Sequence, residues 1–182
     1  MVGTEKRLVP HSLVKDLIVG NQLAGNPLYL QTLKEEFGYD HQNPNFPISV
    51  EIYVLIIDYV RRLNFPEKSR EEGYFLVGTA SLEGHFQGIV GKVNKIAARM
   101  FNIEKSADLY LKTQNSNYPF GSHQIEEVRP GYFRYHRSNV PVPPAFTEGV
   151  ITYLLELTGG KNTKVVSRVV GKEETIYEAT WD

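Results

Sequence analysis

Residues Gly73 to Phe101 read GYFLVGTASLEGHFQGIVGKVNKIAARMF. The stretch holds five glycines, at 73, 78, 84, 88 and 91, and no proline. Its apolar residues recur at helical spacing: Leu82, Phe86, Ile89, Val90, Val93, Ile96, Ala97 and Met100. A glycine inside a helix costs about 1 kcal/mol relative to alanine. Several together need a compensating gain, and the gain open to a residue without a side chain is close approach by a neighbouring backbone or a ligand. The stretch therefore reads as one or two central helices on which the rest of the chain packs.

On the N-terminal side, Leu8 to Leu23 carries an apolar face (Leu13, Val14, Leu17, Ile18) behind Pro10, which predicts a short helix. Asn26 caps a second helix with Pro27 at its first position, a stripe of Leu28, Leu30, Leu33 and Phe37, and Gly38 as its stop. Tyr39 to Pro47 is a loop. Ser49 caps a helix over Val50 to Leu63 that is apolar almost all round, as a multiply buried helix is. Beyond the glycine-rich stretch, Glu104 to Thr113 predicts a further helix with Leu109 and Tyr110 inward, and Gln114 to Gly121 a loop.

The period then changes from about 3.6 to 2. His123 to Arg129 and Tyr132 to Asn139 flank Pro130-Gly131 as a β-hairpin, with Glu127 near Arg134. Val140 to Pro144 is a rigid connector. Ala145 to Leu157 is a helix with Val150, Ile151, Leu154 and Leu155 inward. Thr163 to Val170 and Thr175 to Trp181 form a second hairpin about Gly171–Glu174. Helices gathered before a β-β-α-β-β run predict one α+β domain over 1–182. Its helical part spans about 8–113, packed on a four-stranded antiparallel sheet part of about 121–181.

At 182 residues the chain holds one well-buried core, and a net charge of -1 gives no overall basic field for nucleic acid. The absence of cysteine excludes disulfides, thiolate metal sites and a cysteine nucleophile. No signal-peptide pattern opens the sequence and no apolar run is long enough for a membrane span, so the expectation is a cytoplasmic protein that engages neither membrane nor nucleic acid.

A set of residues carries a resemblance. Phe75, Gly78, Thr79 and Gly84 come first, then the loop with Asn115 and Asn117. They lead into Glu127-Val128-Arg129-Pro130-Gly131 and a strand ending at Asn139, and then Glu148-Gly149 and a hairpin ending in Tyr177 and Trp181. Together they resemble, over most of the chain, an uncharacterised family of small bacterial proteins with many paralogues in soil bacteria. The hairpin–helix–hairpin order is also similar to vinyl-reductase-type ligand-binding domains and, more distantly, to the haem-based nitric-oxide-binding fold. The resemblance implies no activity from the first family. From the related folds it implies small hydrophobic or tetrapyrrole-like ligands, often in dimeric sensory proteins. The haem-binding branch holds the propionates with Tyr-x-Ser-x-Arg, a pattern that Tyr132 to Arg137 lacks, so haem is not expected and the cofactor stays unknown.

His85 is a candidate ligand or a structural histidine, and Ser81 lies one helical turn from it without a Gly-x-Ser-x-Gly elbow. His123, His136 and Glu127 would make a metal site if they shared one face of the hairpin. Gly84 to Lys92 lacks the spacing of a phosphate loop. With aromatics at 12% and eleven tyrosines, an aromatic-lined cavity between helices and sheet is the sharper reading, core packing the plainer one. The candidate lining is Tyr53, Phe75, His85, Phe86, Arg99, Tyr110, Tyr135 and Arg137. The cavity is expected to border residues 74–90 and the first hairpin. No catalytic constellation is complete, which favours a non-catalytic sensor or adaptor domain that binds a small hydrophobic ligand and acts in signalling. The alternatives are a module that dimerises or binds a partner protein through an edge strand or the Val50–Leu63 helix, and an enzyme using His85 with Asp58 or a tyrosine.

Overall fold

The computed structural model describes residues 6–43, 47–87 and 103–182. Chain order is β1 (Leu8–Val9), α1 (His11–Gly20), α2 (Pro27–Phe37), β2 (Ile48–Ser49), α3 (Val50–Asn64) and α4 (Arg70–His85). Then come α5 (Ile103–Asn117), β3 (Ser122–Arg129), β4 (Tyr132–Ser138), α6 (Pro144–Leu157), β5 (Lys164–Gly171) and β6 (Glu174–Thr180). The fold is α+β. The two C-terminal hairpins join into an antiparallel sheet of order β3-β4-β6-β5, with α6 crossing between them.

Local chemistry sets the helix starts. The side chain of Asn26 accepts from the Tyr29 amide at 3.1 Å, and those of Ser49 and Ser69 accept from Ile52 and Glu72, each at 3.2 Å. Gly38 ends α2 at φ 64°, a left-handed conformation that suits glycine. Three expectations shift. Leu8–Val9 does not extend α1: it pairs antiparallel with Ile48–Ser49, and Pro10 starts the helix. Leu28 is 73% exposed, because the buried stripe of α2 runs through Tyr29 and Leu33. Tyr29 stacks on Tyr59 at 5.5 Å, which fixes that face. The helix α5 runs on to Asn117, through the stretch read as loop, since Gln114 is buried against the protein interior.

The glycines of α4 behave as the opening stretch predicts. A methyl on Gly78 would overlap the carbonyl of Phe146, and one on Gly149 that of Phe75, so α4 and α6 meet backbone to backbone. Gly84 and Gly20 do the same for α4 and α1, against Asp16 and Ala80. Gly84 therefore serves helix packing. Gly88 and Gly91, with the apolar positions from Ile89 to Met100, lie outside the described residues.

Two interiors result. In the helical one, Val14, Leu17, Ile18, Ile56, Ile57 and Val60 are fully buried. In the sheet one, the inner face carries Phe133, Tyr135 and Arg137 on β4 opposite Ala179, Tyr177 and Thr175 on β6. Ala107 and Tyr110 of α5 and Ile151 and Leu155 of α6 cover that face. Glu127 is the register partner of Arg134, as expected. A bulge between Ile125 and Glu127 nevertheless hands the ion pair to Glu126, at 2.9 Å, and Glu127 pairs with Arg129.

Candidate functional site

A cavity of about 230 Å³ opens where the two interiors meet. The helix α4 brings Ser81, Leu82 and His85, with Phe86 just beyond its end. Facing them, α5 brings Ser106, Leu109, Tyr110, Thr113 and Gln114. Phe146, Thr147, Val150 and Leu154 of α6 form the floor, and α1 and α3 add Leu13, Asp16 and Tyr53. The i, i+4 spacing of Ser81 and His85, of Ser106 and Tyr110, and of Val150 and Leu154 puts each pair on one helix face. The walls are mostly apolar, with a few polar groups set among them, the usual make-up of a ligand site.

The polar groups are differently engaged. At one side, Nδ1 of His85 lies 2.8 Å from Oδ2 of Asp16, and the close α1–α4 crossing at Gly20 and Gly84 makes this possible. The hydrogen bond with Asp16 holds the imidazole above its ordinary pKa of 6.5, against the opposing effect of burial. Ser81 donates to the Val77 carbonyl at 2.7 Å and Thr113 to Leu109 at 2.9 Å. Burial holds the Tyr53 phenol well above its ordinary pKa and pushes Tyr118 up to about 12. Ser106 Oγ and Tyr110 Oη are buried with no hydrogen-bond partner among the described residues. Burial drives the Tyr110 phenol well above its ordinary pKa, so it stays a neutral O–H.

Of the predicted lining, Tyr53, His85, Phe86 and Tyr110 stand in the cavity wall. Phe75 does not: it sits earlier on α4, where its carbonyl accepts from Thr79 at 3.1 Å. Tyr135 and Arg137 stand one layer back, so the first hairpin does not reach the cavity. Tyr135 lies edge-on to Tyr110 at 5.4 Å between centroids. Its hydroxyl donates to Nδ1 of His123 at 2.6 Å, while Nε2 of His123 donates to the Tyr118 carbonyl at 3.3 Å. Arg137 is 1% exposed; it donates to Thr147 Oγ1 at 2.7 Å and to the Val142 carbonyl at 2.8 Å, over the Tyr177 ring. Arg99 lies outside the described residues.

The catalytic and metal readings are not assembled. His85 meets Asp16, whereas Asp58 takes the Tyr74 hydroxyl at 2.7 Å and pairs with Arg61 and Arg62. Ser81 turns back to its own helix. His123 points into the sheet interior, but His136, one register position past the partner of His123, points to the outer face toward Glu126 and Glu174. Among the described residues no three histidine, aspartate or glutamate side chains gather as a metal site. Ser106, Gln114 and Thr147 were missed from sequence. Ser106 on a short helix, Gln114 at the start of an Asn/Ser cluster and Thr147 beside Glu148 all read as solvated, and the one usable signal is the apolar partner of each at helical spacing.

No described helix is long and apolar enough to cross a membrane. No curated protein matches the chain. Solved structures share the fold. The Fe(II) unliganded H-NOX protein from K. algicida superimposes with a TM-score of 0.63 at 10% identity, over 94% of this chain and 95% of that one. An oxygen-binding H-NOX domain related to soluble guanylate cyclases gives 0.63 at 12% identity, over 93% and 91%. A protein in which porphyrin distortion modulates haem redox potential gives 0.62 at 12% identity, over 94% and 99%. The family described as "Protein of unknown function (DUF2378)" matches residues 7–182, nearly the whole sequence, and this chain, H-NOX-like in fold, belongs to it.

Proposed function

We propose that this domain is a non-catalytic sensor that binds one small, largely apolar molecule between its helical and sheet halves. The cavity at that junction carries the reading, because α1, α4, α5 and α6 all contribute to its wall and any occupant touches both halves at once. An occupant that binds one arrangement of α4 and α6 better than another shifts their relative position, which is how a ligand signal leaves a domain without chemistry.

The occupant is smaller than a tetrapyrrole. A volume of about 230 Å³ falls below the range of about 300–1,000 Å³ that drug-sized ligands fill. On β4 the inward positions are Phe133, Tyr135 and Arg137; the Tyr135 hydroxyl is held by His123, and the two terminal nitrogens of Arg137 by Thr147 and Val142. The histidine in the described cavity wall, His85, is held at Nδ1 by Asp16. These residues do not fit the haem of the structural neighbours, and no step is assigned to it.

Native mass spectrometry of protein from its own host tests the reading. The expected result is a retained small molecule that is lost in Leu154→Trp, a variant that fills the cavity. Wild type free of adducts, or an adduct indifferent to Leu154→Trp, contradicts it.

A second reading, association with another copy of this chain, is favoured by edge strand β5, where Val166, Val169 and Val170 are exposed. Light scattering at high micromolar concentration decides: a dimer lost in Val169→Lys supports it, and a monomer removes it.

A further inference from the structure

Several polar groups in the cavity wall are spent inside the protein. Ser81 and Thr113 donate to their own helix, and Thr147 accepts from Arg137. His85 is only half engaged. Its Nδ1 meets Asp16 at 2.8 Å, and no described residue forms a hydrogen bond with its Nε2. The His85 side chain keeps 43% of its surface exposed, against 22% for that of Asp16, so the ring stands at the open side of the cavity. Beside it, edge to face at 5.3 Å between centroids, the buried ring of Phe86 begins the apolar part of the wall, which continues through Phe146 and Leu154.

We infer that the molecule bound here is a single-ring phenol, its hydroxyl donating to Nε2 of His85 and its ring lying among Phe86, Phe146 and Leu154. This rests on the ligand-binding reading above. Asp16 sets the tautomer: its carboxylate accepts from Nδ1–H, which leaves Nε2 of the neutral imidazole as a bare acceptor. A carboxylate would face that lone pair and the Asp16 charge, with no lysine or arginine in the described wall to offset it. An ammonium group would give up its hydration for a carboxylate whose Oδ2 is already taken. A neutral O–H meets neither objection. An apolar cavity of about 150 Å³ takes up benzene, so the volume of about 230 Å³ here suits one ring with a small substituent or two. Of the titratable groups around His85, α1 brings Asp16, while Tyr53 of α3, Tyr110 of α5 and Tyr118 just beyond it are phenols that burial keeps neutral. From α6, Tyr153 stacks on Phe86. Protonation of His85 puts a hydrogen on Nε2 and ends its acceptance. The preference for a hydroxyl is therefore present above the folded pKa of His85 and lost as pH falls through it.

Four probes test this: p-cresol, p-xylene, in which a methyl replaces the hydroxyl, benzoate and benzylammonium. Their dissociation constants are read from amide chemical shifts on the full chain, above and below the His85 midpoint given by its imidazole titration. Above the midpoint, p-cresol is expected to bind about tenfold more tightly than p-xylene. Below it, the two should bind alike. Asp16→Asn should move that crossover to lower pH, which a mere tie between α1 and α4 would not do, and His85→Phe should abolish the preference. Circular dichroism confirms the fold of each variant. Equal binding of p-cresol and p-xylene on both sides of the midpoint overturns the inference and leaves the cavity reading intact, His85 then serving only to join α1 to α4. A preference indifferent to pH, or tightest binding by benzoate or benzylammonium, also overturns it. Binding by none of the four overturns the inference and the ligand-binding reading together.

Discussion

The helical half and the sheet half fill their interiors by different means. In the first, aliphatic chains such as Val14, Leu17, Ile56, Ile57 and Val60 interlock between helices, with rings such as Tyr29 and Tyr53 set among them, and glycines bring α4 against its neighbours. In the second, rings do the filling: Tyr135 stacks on Tyr177 at 5.6 Å and on Phe133 at 6.2 Å, with the Arg137 guanidinium over Tyr177. Aliphatic chains adapt to a helix groove, whereas stacked rings present a stiff, flat front. Where the two meet, neither shape completes the other, and the space bounded by Phe86, Tyr110, Phe146 and Leu154 remains. The lesson is that a binding cavity can come from the junction of two well-packed cores without a defect in either.

This contrast can be broken most forcefully at the glycine crossing. Gly78→Val drives a side chain into the Phe146 backbone and is expected to cost about 3 kcal/mol or more. Gly25→Ala, at a site where an added methyl meets nothing within 4 Å, should change stability by less than about 0.5 kcal/mol. Denaturant unfolding measures both. In the helical interior, Ile57→Ala should cost about 3 kcal/mol. Leu154→Ala, which enlarges a space already present, should cost about 1.5 kcal/mol, because fewer packing contacts are there to lose. Equal losses at these two positions would mean that the junction is as tightly filled as the core. In the aromatic interior, Tyr135→Phe removes the bond to His123 and should cost about 1 kcal/mol.

The smallest effects are electrostatic, and they oppose one another. His85 is held above 6.5 by Asp16, so its contribution is complete below pH 6.5 and is lost as pH rises through its folded value. His123 is held below 6.5, by burial first, although its bond to the Tyr118 carbonyl pulls the other way. Its contribution is present above pH 6.5 and is lost as pH falls through its folded value. Imidazole NMR titration should place the two on opposite sides of 6.5. His85→Gln should remove the part of the stability profile that falls as pH rises.

The elements with period and cap in agreement were legible from sequence alone: α2 between Asn26 and Gly38, α3 behind Ser49, and both C-terminal hairpins around Pro130-Gly131 and Gly171–Glu174. What sequence hid was decided by long-range contacts. Leu28 has the character of a core residue, but Tyr59 fixes the face of α2 one position away. Gln114 to Asn117 has loop composition, yet burial of Gln114 keeps it helical. The bulge at Glu126 moved an ion pair by one residue, and composition carries no sign of it. For the cavity, four of the eight expected lining residues stand in its wall, because period alone places residues on a helix face. Tyr135 and Arg137 face inward as their alternation requires, but Tyr110 of α5 and Thr147 of α6 stand between them and the cavity, and no local pattern announces that layer.

Crystals of the full chain held under xenon pressure give the most direct test of an open apolar space between the halves, since apolar cavities of this kind take up the gas. The expected result is xenon density among Phe86, Tyr110, Phe146 and Leu154, absent in Leu154→Trp. A junction closed by side chains, with no xenon between α4, α5 and α6, would contradict the account.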